Sequence, residues 1–251
     1  MSPLPTVLLI PGAWHTPACY TPLLTHLHSL GYPTATAALP SVGPSPGLST
    51  WAADIASITS VLAPLVDAGK RVIVAAHSYG SLPAGEAIKK FLSCDREARG
   101  ETGGVAHLVY ISAFVLPVGA TLMGALGGQD LPWFKVSDDK SNVYPINPQE
   151  IFYNDLAVEE QERHSSALEP FSYAMFEQKT SWAPWERVAV SYVFCTLDGA
   201  IPLQVQREMV QRAGGRWRGV VLEAGHSPFL SRVGETAEAI VGAVRLDSRA
   251  G

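Results

Sequence analysis

Short apolar runs alternate with helical patterns along most of this chain. Six runs have the composition of strands, and several of them are almost continuously apolar. Strands of this kind are covered on both faces, as in a parallel sheet between layers of helices. Because right-handed crossovers join such strands, the pattern predicts an α/β fold with a parallel sheet. The predicted strands are 6–10, 33–39, 71–76, 107–113, 191–196 and 217–223.

The predicted helices lie between these strands. The clearest covers residues 50–67, where apolar residues recur at steps of three and four, and Gly69 follows its end. Pro64 is expected to kink this helix or to end it early, because proline removes a backbone donor and clashes with the preceding turn. The other predicted helices are 22–30, one that follows Ser78, 203–213, and one from about Gly234.

One long segment interrupts the alternation. Residues 117–187 contain no convincing strand, yet they hold ten of the 22 aromatic residues of the chain. A long aromatic insertion in an α/β domain is typical of a lid over a pocket. A helical subdomain with its own small core is the alternative, and the two interpretations are compatible. We therefore predict a core formed by 1–116 and 188–251, with a helical lid at 117–187 inserted after the fourth strand.

Composition disfavours several classes of protein. The net charge is −5 and no basic run could follow a phosphate backbone, so nucleic acid is not an expected partner. The three cysteines are widely spaced and form no C-x-x-C pair, which predicts free thiols in a reducing compartment. The longest apolar segment is too short to span a bilayer, and the first residues lack a basic leader. We expect a cytoplasmic protein without membrane insertion.

The segment "VIVAAHSYGSLP", residues 72–83, is close to the G-x-S-x-G signature of a nucleophilic serine. Ser78 follows a predicted strand and precedes a helix, which is the context that the signature requires. Ala76 stands where the first glycine is expected, and Gly80 is retained. The turn demands a small residue at the first position because strand and helix approach closely there, so alanine should fit.

A serine nucleophile needs a base and an acid that orients it. Among seven histidines, His226 lies on a loop directly after the last predicted strand, at the sheet edge where catalytic residues collect. Asp198 follows the preceding strand, which gives the chain order Ser, Asp, His. The alternative for Asp198 is a turn or helix cap. The strand that ends at Ala113 carries no acid, which removes the main competing location, and His77 is interpreted as packing.

An oxyanion hole needs two backbone N–H groups. The first is expected from Tyr79, which follows the nucleophile at the start of a helix. The second is expected from the loop "IPGAWHTP" after the first strand, where Gly12 permits close approach and Ala13 is the candidate donor. An ordinary strand–helix turn would also suit glycine and proline at this loop.

The sequence resembles the α/β-hydrolase family over essentially its whole length. The matching segments include "LLIPGAWHTPACYTPLLTHLHSLGY", "AHSYG", "CTLDGAIPLQVQREM" and "EAGHSPFLS". The resemblance is to the compact branch of plant methyl-ester esterases and hydroxynitrile lyases, with many small fungal and bacterial hydrolases. It implies a six-stranded, mainly parallel sheet without the usual outer hairpin. The residue after His226 is Ser227, where the lyases have lysine, and Gly12 stands where they have threonine; both differences favour an esterase.

The resemblance implies roles for particular residues. Ser78 would be the nucleophile, Asp198 the acid and His226 the base, and Ala13 and Tyr79 would lend N–H groups. No metal or organic cofactor is implied. The candidate substrate-binding residues come from the oxyanion loop and the lid: Gly12, Trp14, His15, Trp133, Phe152, Phe171, Phe176 and Trp182.

Three functions are compatible with these residues. The first is hydrolysis of an ester, lactone or thioester of a bulky hydrophobic small molecule through an acyl-enzyme. The second is a carbon–carbon cleavage or cyclisation in which the same residues act as general acid and base. The third is a non-catalytic small-molecule receptor. The sequence leaves the substrate, the mobility of the lid and the oligomeric state open.

Overall fold

The structure is a computed structural model that describes residues 3–245. Its nine strands form a six-stranded parallel sheet in the order β2-β1-β3-β4-β8-β9 and a three-stranded antiparallel sheet in the order β5-β6-β7. The strands are β1 Thr6–Ile10, β2 Thr34–Thr36, β3 Arg71–His77, β4 Gly104–Ile111, β5 Phe134–Val136, β6 Asn142–Pro145, β7 Phe171–Ser172, β8 Ala189–Cys195 and β9 Trp217–Leu222.

Helices follow the strands of the large sheet. The α-helices are α1 Thr21–Ser29, α2 Ala52–Asp67, α3 Ser81–Ile88, α4 Ser93–Ala98, α5 Leu122–Ala125, α6 Pro148–Phe152, α7 Val158–Ser166, α8 Leu203–Ala213, α9 Pro228–Ser231 and α10 Val233–Arg245. Short 3-10 helices occupy Pro17–Tyr20, Ser78–Gly80, Tyr173–Glu177 and Pro184–Glu186. None of the helices in residues 3–245 combines the length and the apolar character needed to cross a bilayer.

The large sheet separates two apolar layers. Successive residues of a strand point to opposite faces, so Leu8 of β1 packs with Ile58 of α2, whereas Val7 packs on the other face with Leu23 of α1. All four side chains are fully buried. The predicted α/β fold, with six parallel strands and helices on both faces, is confirmed.

The C-terminal end of α2 agrees with one prediction from local rules and differs from another. Gly69 follows the helix with φ +74°, a left-handed conformation that glycine adopts without strain. We expected Pro64 either to kink this helix or to end it early. The early end is wrong, because α2 continues to Asp67. Leu62 and Val66 lie on either side of the proline and are fully buried, and we attribute the continuation to their packing.

The segment 117–187 also differs from expectation. It contains helices, as predicted, but it also contains the antiparallel strands β5, β6 and β7, which were not predicted. Each has four residues or fewer, which is too short for an alternating pattern to stand out. The small sheet is further joined to the core by a bridge between Val42 and Phe171.

Candidate active site

Ser78 lies in a sharp turn between β3 and α3. Its φ of +51° is left-handed, which costs a non-glycine residue about 1–3 kcal/mol and is typical of functional turns. A Cβ on Gly80 would meet the Pro11 carbonyl oxygen at 2.1 Å, and one on Gly12 would lie 2.9 Å from the Ser78 Cβ. Both positions therefore require glycine. Ala76 is accommodated in the core with its side chain fully buried.

His226 and Asp198 form a buried pair beside this turn. The Nδ1 atom of His226 is 3.0 Å from each carboxylate oxygen of Asp198. Because a carboxylate only accepts, Nδ1 carries the proton and Nε2 is left as the nitrogen that can receive one. The structure thus brings together the residues predicted to be base and acid, from the loops after β9 and β8.

The Asp198 carboxylate accepts several further hydrogen bonds. Its Oδ1 atom accepts from the backbone N–H groups of Ala200 and Ile201, each at 2.8 Å. Its Oδ2 atom accepts from the Gln206 side chain at 3.1 Å and from the Ser112 hydroxyl. Asp198 therefore closes a turn, as its alternative interpretation required, and it also orients His226. Gln206 and Ser112 were not identified from the sequence, because neither residue type is diagnostic at its position.

His77, which precedes Ser78, is hydrogen-bonded to the backbone of His226. It is fully buried, and its Nε2 donates to the backbone carbonyl of His226 at 2.9 Å. Burial, reinforced by the nearby His226 and His15, lowers the pKa of His77 well below its ordinary value, so the ring is neutral. The interpretation of His77 as packing agrees with this position.

The loop after β1 is held from two directions. His15 is buried, its Nδ1 donates to the Ala13 carbonyl at 2.7 Å, and its Nε2 accepts from the Tyr153 hydroxyl at 2.9 Å. Burial lowers the pKa of His15 to about 4. The Trp14 indole donates to the Val143 carbonyl of β6 at 2.9 Å. The candidate oxyanion donor Ala13 is thus held in place by the two residues that follow it, Trp14 and His15.

Tyr79, the other candidate donor, is anchored through its side chain. Its hydroxyl donates to the Asp54 carboxylate at 3.1 Å, and Asp54 also accepts from the backbone and hydroxyl of Ser41. Burial raises the pKa of Asp54, although these hydrogen bonds oppose the shift. The network links the start of α3 to α2 and to the loop after β2.

A narrow cavity of about 30 Å³ lies over the turn. Ser78, His226, Ala13 and Tyr79 are among its lining residues, and the remaining lining residues are apolar. Four predicted substrate-binding residues lie in its wall: Trp14, Trp133, Phe152 and Phe176. The sequence did not single out the other lining residues, which are Phe114, Leu122, Leu126, Leu131, Phe134, Ala200 and Ile201.

Four predicted substrate-binding residues lie outside this wall. Gly12 packs below Ser78, and His15 faces a separate depression beside Tyr153. Phe171 is buried behind the wall, with its ring 5.7 Å from that of Trp14. Trp182 lines a different depression and donates to the Gly85 carbonyl at 2.9 Å. The composition of the insertion indicated an aromatic wall but could not distinguish the inner from the outer rings.

The site offers no evident metal ligands. Across residues 3–245 there is no group of three or more histidine, cysteine, aspartate or glutamate side chains that could hold a metal ion. The cysteines Cys19, Cys94 and Cys195 are free thiols; Cys19 is half-buried and Cys195 is buried, but Cys94 is exposed, although at least partial burial was expected of all three.

Comparison with known proteins gives consistent matches. A model of the alpha/beta hydrolase family matches residues 7–239. The chain is 29% identical over 230 residues to the alpha/beta hydrolase nvfD of Aspergillus novofumigatus (strain IBT 16806), covering 90% of this chain and 91% of that protein. It is 30% identical over 233 residues to the probable hydrolase R7 of Phoma sp. (strain ATCC 20986 / MF5453), covering 89% and 91%. Among solved structures, the methylesterase MES16 from Arabidopsis matches with a TM-score of 0.74 and 19% identity, covering 97% and 100%.

Proposed function

Since the chain belongs to the alpha/beta hydrolase family and is a hydrolase, we propose that it cleaves an ester, lactone or thioester of a hydrophobic small molecule through an acyl-enzyme on Ser78. One observation carries the proposal: Ser78, His226 and both candidate oxyanion donors face a single, otherwise apolar cavity. The similarity in fold to a plant methylesterase adds support for an ester.

The proposed reaction uses these groups in turn. The Ser78 Oγ attacks the carbonyl carbon while His226 Nε2 takes the hydroxyl proton, and the Ala13 and Tyr79 N–H groups stabilise the oxyanion. Asp198 holds the ring through Nδ1 and stabilises the imidazolium. His226 then protonates the leaving oxygen or sulfur. His226 then takes a proton from water as the water oxygen attacks the acyl carbon, and it passes that proton to Ser78 Oγ when the bond to Ser78 breaks, which releases the acid and restores the serine.

The cavity defines the kind of substrate. Apart from Ser78 and His226, the lining residues offer aliphatic and aromatic surface, so an uncharged reacting group is favoured. A larger depression between α5 and α8 shares Phe114 and Leu126 with the cavity, which supports a bulky substrate that extends beyond the cavity into this depression. We further propose that residues 117–187 act as the cap that excludes water from the reaction.

The test uses a fluorophosphonate probe and a short chromogenic ester. We expect the probe to label Ser78, located by mass spectrometry, and we expect Ser78→Ala to lose label and turnover together. Asp198→Asn should lower kcat by about 10³–10⁴, because the histidine tautomer is no longer fixed. Ser60→Ala, at an exposed serine of α2, is the matched control and should retain both.

Three other results would contradict the proposed acyl-enzyme mechanism. A folded protein whose Ser78 stays unlabelled would count against an acyl-enzyme. Ester turnover that persists in Ser78→Ala would favour a mechanism in which His226 acts as general acid and base without a serine adduct. Failure to turn over any ester, with an intact binding cavity, would favour a receptor.

A further inference from the structure

The pair formed by Asp198 and His226 has a third member at the end of β4. Ser112 is fully buried, its hydroxyl donates to the Asp198 Oδ2 atom, and its Oγ lies 3.2 Å from His226 Nδ1. No acidic residue lies at this strand end, but Ser112 contacts the same His226 nitrogen as Asp198 does.

The hydrogens can be placed on chemical grounds. The hydroxyl has one proton, and Asp198 can only accept it, so the lone pairs of Ser112 Oγ are left for other donors. The only proton between Oγ and the imidazole is the one on Nδ1. That proton therefore faces the two carboxylate oxygens at 3.0 Å and the hydroxyl oxygen at 3.2 Å.

The backbone around Ser112 is fixed in an unusual conformation. Its φ is +41°, and its N–H donates to the Val193 carbonyl of β8 at 3.0 Å. The next residue, Ala113, donates to the Tyr192 hydroxyl at 2.9 Å and accepts from it at 2.7 Å. A left-handed serine held on both sides by β8 is a strained arrangement of the kind found at functional sites.

We infer that Ser112 is a positioning residue that holds Asp198 and His226 in register and stabilises the protonated imidazole; this inference rests on the proposed function of His226 as the base. A hydrogen bond accepted from an imidazolium is stronger than one accepted from a neutral imidazole. The hydroxyl oxygen therefore supports the charged ring that forms when Ser78 gives up its proton.

The other titratable groups around His226 stay the same in the variants that change position 112 alone. They are Asp198, the neutral rings of His77 and His15, and Asp155, whose carboxylate accepts from the Gly225 N–H at 2.7 Å. Differences between variants at position 112 can therefore be assigned to that position.

The first test is Ser112→Ala, compared with wild type and Ser112→Asp. We expect Ser112→Ala to lower kcat on a short chromogenic ester by about 10-fold with KM little changed, since one charge-assisted contact is lost in the transition state. The acidic limb of the kcat/KM profile should move to lower pH in Ser112→Ala and to higher pH in Ser112→Asp. Unchanged kcat and superimposable profiles for Ser112→Ala would overturn the inference.

The second test asks whether position 112 can replace Asp198. We expect Asp198→Asn to have a severely reduced kcat. Adding Ser112→Asp should raise that kcat by at least about 10-fold, because the new carboxylate would face His226 Nδ1. Aspartate also tolerates the left-handed backbone at this position. Asp198→Asn with Ser112→Asn is the matched neutral control and should restore nothing. Equal activity of the two folded double variants would contradict the inference; if they do not fold, Ser112→Ala decides alone.

A spectroscopic readout separates this inference from the proposed function. The His226 Nδ1 proton gives a low-field proton resonance, and we expect it to move upfield in Ser112→Ala because one acceptor is removed. An unmoved resonance would overturn the role of Ser112 even if Ser78 is an active nucleophile. A moved resonance in a protein that hydrolyses no ester would leave the positioning role standing and refute the acyl-enzyme alone.

Discussion

His15 is an uncharged link between the loop after β1 and the inserted segment. Its ring is 3% exposed, and burial lowers its pKa from 6.5 to about 4. In the unfolded chain the ring would be protonated below pH 6.5, so the unfolded state binds more protons between pH 6.5 and 4. His15 therefore stabilises the fold fully above pH 6.5, and this contribution is lost as the pH falls towards 4.

This linkage predicts a specific pH dependence. The stability lost through His15 between pH 7 and pH 4 is at most about 3 kcal/mol. We expect His15→Gln to lose correspondingly less stability over that range, measured as the free energy of unfolding in urea at the two pH values. His28→Gln, at an exposed histidine of α1, is the control. If the two variants show the same pH difference, the assignment to His15 is wrong.

Residue-level prediction was possible where position and residue type coincide. Ser78, Asp198 and His226 could be placed together because each follows a strand of one parallel sheet, and their types suit nucleophile, acid and base. Ser112 also follows such a strand, but serine is too common at turns to indicate a partner for a histidine. Its contacts depend on a φ of +41°, which the sequence does not encode in any recognisable way.

Helix α2 contains a proline that local rules would exclude. Pro64 is exposed in the last turn, so its ring makes little contact with the core that could compensate for the missing N–H. We expect Pro64→Ala to stabilise the protein by about 1–2 kcal/mol, the helix gain being offset in part by a more flexible unfolded chain. Thermal unfolding measures the effect.

A second proline provides the comparison. Pro22 lies in the first turn of α1, where no intrahelical donor is lost, so Pro22→Ala should bring no gain. If Pro64→Ala and Pro22→Ala change thermal stability equally, the gain does not come from the position of Pro64 inside α2.

Among the strands, those that are buried could be predicted from the sequence and those of the small sheet could not. The central strands β1, β3, β4 and β8 have five to eight residues and are almost entirely buried, so their apolar runs stand out. Strands β5, β6 and β7 have polar residues and Pro145 among few positions, and β7 consists of Phe171 and Ser172 alone. Their pairing depends on contacts with the core rather than on local preference.

The inserted segment is joined to the core at several distant points. Trp14 donates to the Val143 carbonyl, the Ser172 hydroxyl donates to the Ser41 carbonyl at 2.8 Å, and the Ser181 hydroxyl donates to the Glu86 carboxylate at 2.6 Å. These hydrogen bonds reach three separate parts of the core: the loop after β1, the loop after β2, and α3. We call these attachment points the rim of the segment, and their number argues against a hinged flap.

The buried tie at Ser172 yields a prediction about the whole molecule. Its hydroxyl also accepts from the Leu48 N–H at 2.9 Å, so Ser172→Ala leaves that donor without its partner. We expect a loss of about 2 kcal/mol in the free energy of unfolding and faster hydrogen exchange in 117–187. Ser166→Ala, at an exposed serine of α7, should have little effect. A Ser172→Ala protein as stable as wild type would show that the rim is held elsewhere.

The ties around the rim also bear on the order of folding. The bonds from Trp14, Ser172 and Ser181 join residues 129, 131 and 95 positions apart in the chain. Long loops lose the most entropy on closing, so we expect these contacts to form after the sheet and its first helices. A chain that has already assembled its core would still lack a closed cavity. The part of the molecule that selects a substrate would then be the last to become native.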